Sequence, residues 1–469
     1  VAELNQATVG IITGTVPDPD RDSYLPWLVS DHISKVTVHA AEARHYATTR
    51  PDGHYDIIQA SGVDTLTAIS SGGKSLVENY LYTVEGVEEF MRILAPKGVL
   101  SLTHWRTRPP MHNLRMFLTY LEALERAGIE DAYRHVVVVG GAPTPLGPGW
   151  TDTMLRKEPW QTEEVERLRQ WVRANGHVVL FNPTQPTRPP KGIDPEERIY
   201  WKTGFLPREQ RQQFLGEMQT FVEPVVDDRP YFYQTRWVTN VEAAFMQIQR
   251  PVLYMFFAAL LGALVLIFLP LLRMQRRDVP RRSLVYAVFF AMTGFAFLLF
   301  QTTIIQLFTV FVGGPVYSLA VVLVAVLAGY SIGSGLANYL RPDSRTFIAS
   351  GLILGGTLLG VYLFIPNIID WAMPWSFPAR LALCGVITFV VSVLTGIPVP
   401  LAMSAVRVQH GNVVGWMWGI SSAFNVLGAM SFVPLTQIMG ISFSVLLAGG
   451  LYLLASIGLS FTPLVREAV

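Results

Sequence analysis

The feature that most constrains this chain is a succession of apolar runs that begins at Pro251 and continues almost to Val469. The hydrocarbon core of a bilayer is about 30 Å thick, so about 20 apolar residues in a helix suffice to cross it. Seven candidate spans meet or approach that length: 251–272, 283–311, 315–339, 346–368, 379–403, 413–437 and 441–461. The second is longer than a straight crossing needs, which implies tilt or a re-entrant end before Gly313-Gly314-Pro315. The chain reads as an integral membrane protein: an α/β domain over residues 1–240, then an all-α transmembrane bundle over 251–461.

Charge is segregated in the same way, and most of it lies before Arg250. Over all 469 residues, 36 Lys and Arg oppose 35 Asp and Glu, and a net charge of +1 gives no reason to expect a nucleic-acid partner. The loop after the first candidate span holds Arg273, Arg276, Arg277, Arg281 and Arg282. Arg341, Arg345, Arg407 and Arg466 fall on that same side, whereas the opposite short loops offer only Arg380. The positive-inside rule places the arginine-rich side in the cytoplasm. The soluble domain precedes the first span, so it is expected outside. The expected partners are the lipid bilayer and other membrane-protein subunits.

The first half alternates β-rich runs with helical patterns, the rhythm of a parallel sheet flanked by helices. Val36–Ala40, Tyr55–Ser61, Val99–Thr103, Val136–Val139 and Val178–Phe181 read as strands. Glu85–Leu94, Asn113–Ala127 and Thr162–Asn175 read as helices, and proline-rich Pro183–Ile193 reads as a loop. The chain opens on Val1, and VAELNQ reads like the interior of a domain, so an upstream segment is expected.

Several motifs have a functional and a plain reading. Ser71-Gly72-Gly73-Lys74-Ser75 resembles a phosphate loop, but Ala68 stands where that pattern needs glycine, which favours an ordinary loop. His32, His39, His45 and His54 lack the paired spacing of a metal motif, so no metal site is expected. His104-Trp105-Arg106 follows a strand at the edge where doubly wound sheets bind ligands, and either lines a pocket there or caps the strand. Cys384 is alone in a candidate span and reads as a small buried hydrophobe. Trp371, Trp375, Trp416 and Trp418 lie near span ends as interfacial anchors, and Gly329, Gly333, Gly428 and Ala429 read as helix–helix contacts.

Tyr55–Thr65 (YDIIQASGVDT) and Glu78–Trp105 resemble the spermidine synthase-like family, polyamine aminopropyltransferases with a methyltransferase-type Rossmann fold. The resemblance is closest to bacterial membrane-bound members. It continues through Asp227-Asp228-Arg229-Pro230-Tyr231-Phe232, Gly294–Gln306, Gly313–Leu319, Gly396–Pro400 and Trp416–Gly419. It implies a bacterial cytoplasmic-membrane protein with a Rossmann-like soluble domain. It also implies a glycine-rich turn holding S-adenosylmethionine or its decarboxylated form, acidic residues on the ribose and adenine sides, and a catalytic aspartate that deprotonates the amine.

Against that pattern the first strand and glycine turn are expected to be missing. Glu3 matches the ribose-binding position and Glu42 falls near the second acidic one. Ser61 stands at the catalytic position, with Asp64 left as an amine contact. A serine hydroxyl is no base at neutral pH unless a neighbour activates it. Tyr82, His104 and Trp105 are the substrate-side candidates. Gln301 and Gly314 replace a glutamate and a histidine common in the membrane-bound relatives. These departures imply a non-catalytic scaffold or accessory subunit. The alternative is an adenosyl-dependent aminopropyl- or methyltransferase acting on a polyamine or related amine.

Overall fold

A computed structural model describes residues 2–3, 37–62, 78–142, 149–185, 194–217, 222–234, 250–265, 269, 283–409 and 413–461. The chain divides into two compact units, Val1–Ala243 and Ala244–Val469.

In the first unit two short strands, β1 (Ala2–Glu3) and β2 (His39–Ala40), pair in parallel. A separate five-stranded sheet has the order β3-β4-β6-β5-β7. Its strands are β3 (Tyr55–Ser61), β4 (Leu94–Trp105), β5 (Val136–Gly140), β6 (Trp150–Arg156) and β7 (Val178–Phe181). Only β3 and β4 pair in parallel; β6 runs antiparallel between β4 and β5, and β7 antiparallel to β5. The sheet is therefore mixed, not parallel as the βα rhythm suggested. The cause is the short connection 141–149: a parallel return needs a crossover of a dozen or more residues, whereas a hairpin-type link makes the partner antiparallel.

Among the described residues, this unit has six α-helices: α1 (Ala43–Thr48), α2 (Val84–Ile93), α3 (His112–Arg126), α4 (Thr162–Ala174), α5 (Pro195–Phe205) and α6 (Arg208–Glu217). Thr83 caps α2 by accepting from the Gly86 N–H, and Gln161 and Glu164 cap α4 reciprocally. The buried core gathers Leu100, Leu102, Phe117, Leu121, Val136, Val138 and Leu155. Burying one such large side chain contributes about 1.5–3 kcal/mol. A smaller cluster, Val137, Val139, Val165 and Val172, seats α4 on the other face.

The second unit begins with α7 (Arg250–Ala263) and continues through α8 (Ser283–Val312), α9 (Pro315–Ala337), α10 (Ser344–Ala372), α11 (Phe377–Thr395), α12 (Pro398–Gln409), α13 (Val414–Met439) and α14 (Ile441–Ser460). Among the described residues, six helical stretches are long and apolar enough to cross a membrane. The seventh candidate, 251–272, lies partly outside the described residues. The over-long second candidate is one 30-residue helix, about 45 Å at the usual rise. The candidate 379–403 is interrupted at Gly396-Ile397, between α11 and α12.

Small residues let these helices approach closely, as lipid-embedded packing demands. A Cβ on Gly294 of α8 would collide with the Ser421 carbonyl of α13, and one on Gly428 of α13 with the Phe295 carbonyl of α8. Gly333 and Gly396 do the same for α9 and α11, against Val393 and Tyr330. Arg380, the cation of the arginine-poor side, is buried and donates to the Phe311 carbonyl at 2.9 Å, satisfying the end of α8. Trp371 and Trp375 pack edge to face at 4.6 Å at the neighbouring end of α10. Cys384 is buried in α11.

Candidate functional site

The two faces of the mixed sheet differ sharply. Towards α3 point Leu100, Leu102, His104, Thr151, Thr153 and Leu155, all buried. The opposite face is polar where β3, β4 and β6 meet. Gln59, Ser101 and Met154 stand side by side across the three strands, followed by Ser61, Thr103 and Asp152. Neighbouring strands lie about 4.8 Å apart, so each set forms a short row on one surface. Trp105 and Trp150 end the surface one pleat further on, stacked with ring centroids 4.3 Å apart.

Asp152 is the ionisable member. Its carboxylate accepts the Ser101 hydroxyl at 2.8 Å. Burial pushes the carboxyl up to about 6, against the opposing pull of that hydrogen bond. It can therefore gain or lose a proton near neutral pH. The Ser61 hydroxyl is exposed and accepts from Gln59 Nε2 at 3.0 Å. Gly62 follows with φ +56°, and a Cβ there would lie 3.1 Å from the Trp150 ring. Backbone conformation and the indole both require glycine at this turn.

The expected site residues fall in several places. Ser61 and Trp105 share the polar face, whereas Tyr82 and His104 lie buried in an aromatic cluster on the α3 side. The Tyr82 and His104 rings meet edge to face at 4.5 Å, and both pack on Phe232. Adjacent strand residues point to opposite faces, so His104 and Trp105 cannot line one pocket together. Glu3 ends β1 opposite Ala40 in the parallel register. Glu42 caps α1, accepting the N–H groups of Arg44 and His45 at 3.1 and 2.7 Å. Asp64, His32 and the segment Ser71–Ser75 lie outside the described residues. Among the described residues no group of His, Cys, Asp and Glu is arranged to hold a metal.

The segment Asp227–Phe232 is a clasp. Asp227 holds Arg44 bidentately, at 2.6 Å on both oxygens, and its own N–H donates to Glu85. Arg115, fully buried in α3, donates to the carbonyls of Glu223, Tyr231 and Phe232. The Tyr231 hydroxyl donates to Glu78, whose pKa is raised by its burial. These bonds bring Phe232 against Tyr82 and His104, so the motif fastens the core of the first unit.

Asp152 gave no signal in the sequence. It stands in Trp150-Thr151-Asp152-Thr153-Met154, after a Gly- and Pro-rich stretch, where the inward positions of β6 are mostly threonines instead of apolar residues. The period-2 alternation was present, but in polar residue types. In the membrane unit, Gln301 sits half-buried within α8, and Gly314 precedes α9, donating its N–H to the Thr309 carbonyl at 2.9 Å.

The chain has no match among protein-family models, curated proteins or solved structures.

Proposed function

We propose that this multi-pass membrane protein carries a degenerate spermidine synthase-like domain that serves as a scaffold or accessory subunit of a membrane complex. The observation that carries this reading is the setting of Ser61. Its hydroxyl is bonded to an amide, Gln59, and among the described residues no histidine or carboxylate is hydrogen-bonded to it. A hydroxyl so placed lacks the activation that a nucleophile or base requires. The use of the Glu42 carboxylate as a helix cap supports the same reading.

Asp152 favours a second reading. It lies two strands from Ser61 in the same row and titrates near neutrality, the property wanted of a general base. Under that reading the protein is an adenosyl-dependent aminopropyl- or methyltransferase acting on a polyamine or related amine.

Calorimetric titration of the purified full-length protein with S-adenosylmethionine and its decarboxylated form separates the two. The scaffold reading expects no saturable heat from folded protein, and co-purification with other membrane subunits. Micromolar binding of either compound would replace it with the transferase.

The arginine distribution supports a bacterial cytoplasmic membrane with the soluble unit outside. Arg341, Arg345 and Arg407 belong to one set of helix ends and Arg380 to the other.

A further inference from the structure

We propose that the sheet face carrying Asp152, Trp105 and Trp150 is a binding site for a methylated organic cation, with the Asp152 carboxylate opposing its charge and the indoles covering its methyl groups. This goes beyond the scaffold reading and does not depend on an adenosyl cofactor.

The first ground is uncompensated charge. Asp152 is largely withdrawn from water, and among the described residues its carboxylate makes no ion pair; the Ser101 hydroxyl is its hydrogen-bond donor. Among the described residues, the groups facing it are uncharged. From β4 come Ser101, Thr103 and Trp105; from β5, Val137 and Val139; α4 adds Val165 and Leu168 around Met154; behind the sheet stands Tyr120 of α3. A buried carboxylate of this kind is stabilised by a cation brought to it.

The second ground is the aromatic wall beside it. Asp152 and Trp150 are two residues apart on one strand face, and Trp105 lies directly across from Trp150. Trp150 is 38% exposed despite its stacking partner, so indole surface remains open next to the carboxylate. Indole faces attract cations, and quaternary ammonium groups most characteristically.

The third ground selects among cations. A metal ion needs several oxygen ligands, and no such group is assembled among the described residues. A primary ammonium keeps three N–H donors to satisfy; hydroxyls stand on the β4 side of Asp152, at Ser101 and Thr103, whereas the rest of the lining is Met154, Val139 and two indoles. A methylated ammonium has few or no donors and carries carbon on its surface, which suits this lining.

The test uses the full-length protein in detergent, with intrinsic tryptophan fluorescence as the readout and tetramethylammonium chloride as the probe. Sodium chloride at matched ionic strength is the control. Saturable quenching is expected at pH 7.5. A carboxyl titrating at about 6 is about tenfold less ionised at pH 5.0, so affinity should fall about tenfold there. Asp152→Asn should lose at least tenfold at pH 7.5 and show no pH dependence, with its fold confirmed by circular dichroism. Trp150→Phe, which keeps a ring but weakens the cation–π attraction, should bind less tightly, read by calorimetry. Absence of saturable binding, an unchanged affinity in Asp152→Asn, or tighter binding of propylammonium or of glucose than of tetramethylammonium would overturn the proposal.

Discussion

Asp152 and Asp227 show how one residue type takes opposite roles according to its neighbours. Asp227 meets a guanidinium; Asp152 meets a hydroxyl and apolar walls. For Asp152 the folded carboxyl titrates at about 6, above its ordinary value of 3.8. Between those values the folded state binds the proton that the unfolded state has released, so stability falls as pH rises through that window. Asp152→Asn removes the charge and should stabilise the protein by about 2 kcal/mol at pH 7.5, with little effect at pH 4; thermal unfolding at the two pH values checks this. Asp227→Ala goes the other way. It leaves the buried Arg44 cation without its bidentate partner, and should cost about 2 kcal/mol, below the full buried-pair value because Asp227 is 34% exposed. A melting temperature lowered by roughly 5 °C is the expected reading.

At the scale of elements, the helices were legible because each carries its own signal. α2, α3 and α4 show apolar spacing and caps within their own residues, and the structure places their ends within a residue or so of the expected ones. β6, α5 and α6 were not legible. β6 buries threonines, and the last two helices lack a clean apolar stripe, so neither pattern stands out from a loop. In the membrane unit, the elements are decided by hydropathy but their contacts by glycine. Gly428→Val should drive a side chain into the Phe295 carbonyl and destabilise the bundle by about 1–3 kcal/mol or more. Gly356→Val, at a position with open space around it, should be nearly neutral. Unfolding in detergent with increasing sodium dodecyl sulfate ranks the two; equal effects would mean that α8 and α13 do not meet at Gly428.

For the whole molecule the property to test is sidedness. The six described spans put the start of α8 and the end of α14 on one side, that of Arg341, Arg345 and Arg407. Whether α7 completes a seventh crossing then decides where the soluble unit lies. Single-cysteine variants test this, since the native Cys384 is buried. A membrane-impermeant maleimide on intact cells should label Pro374→Cys and Glu158→Cys, but not Asn338→Cys. Labelling of Pro374→Cys without Glu158→Cys would leave the spans in place and move the soluble unit inside.

The sequence alone determined the apolar stretches long enough to cross a membrane and the helices α2, α3 and α4 of the first unit. Those properties are additive and local: hydropathy sums along a segment, and helical periodicity and caps repeat within a few residues of each other. The tertiary structure alone decided that the sheet is mixed and that Asp152 joins Ser61 and the paired indoles on one surface. Each of these depends on strand order and register, which bring together residues some 50 to 90 positions apart. A carboxyl's pKa and a residue's neighbours are consequences of that pairing, and no window of sequence contains it.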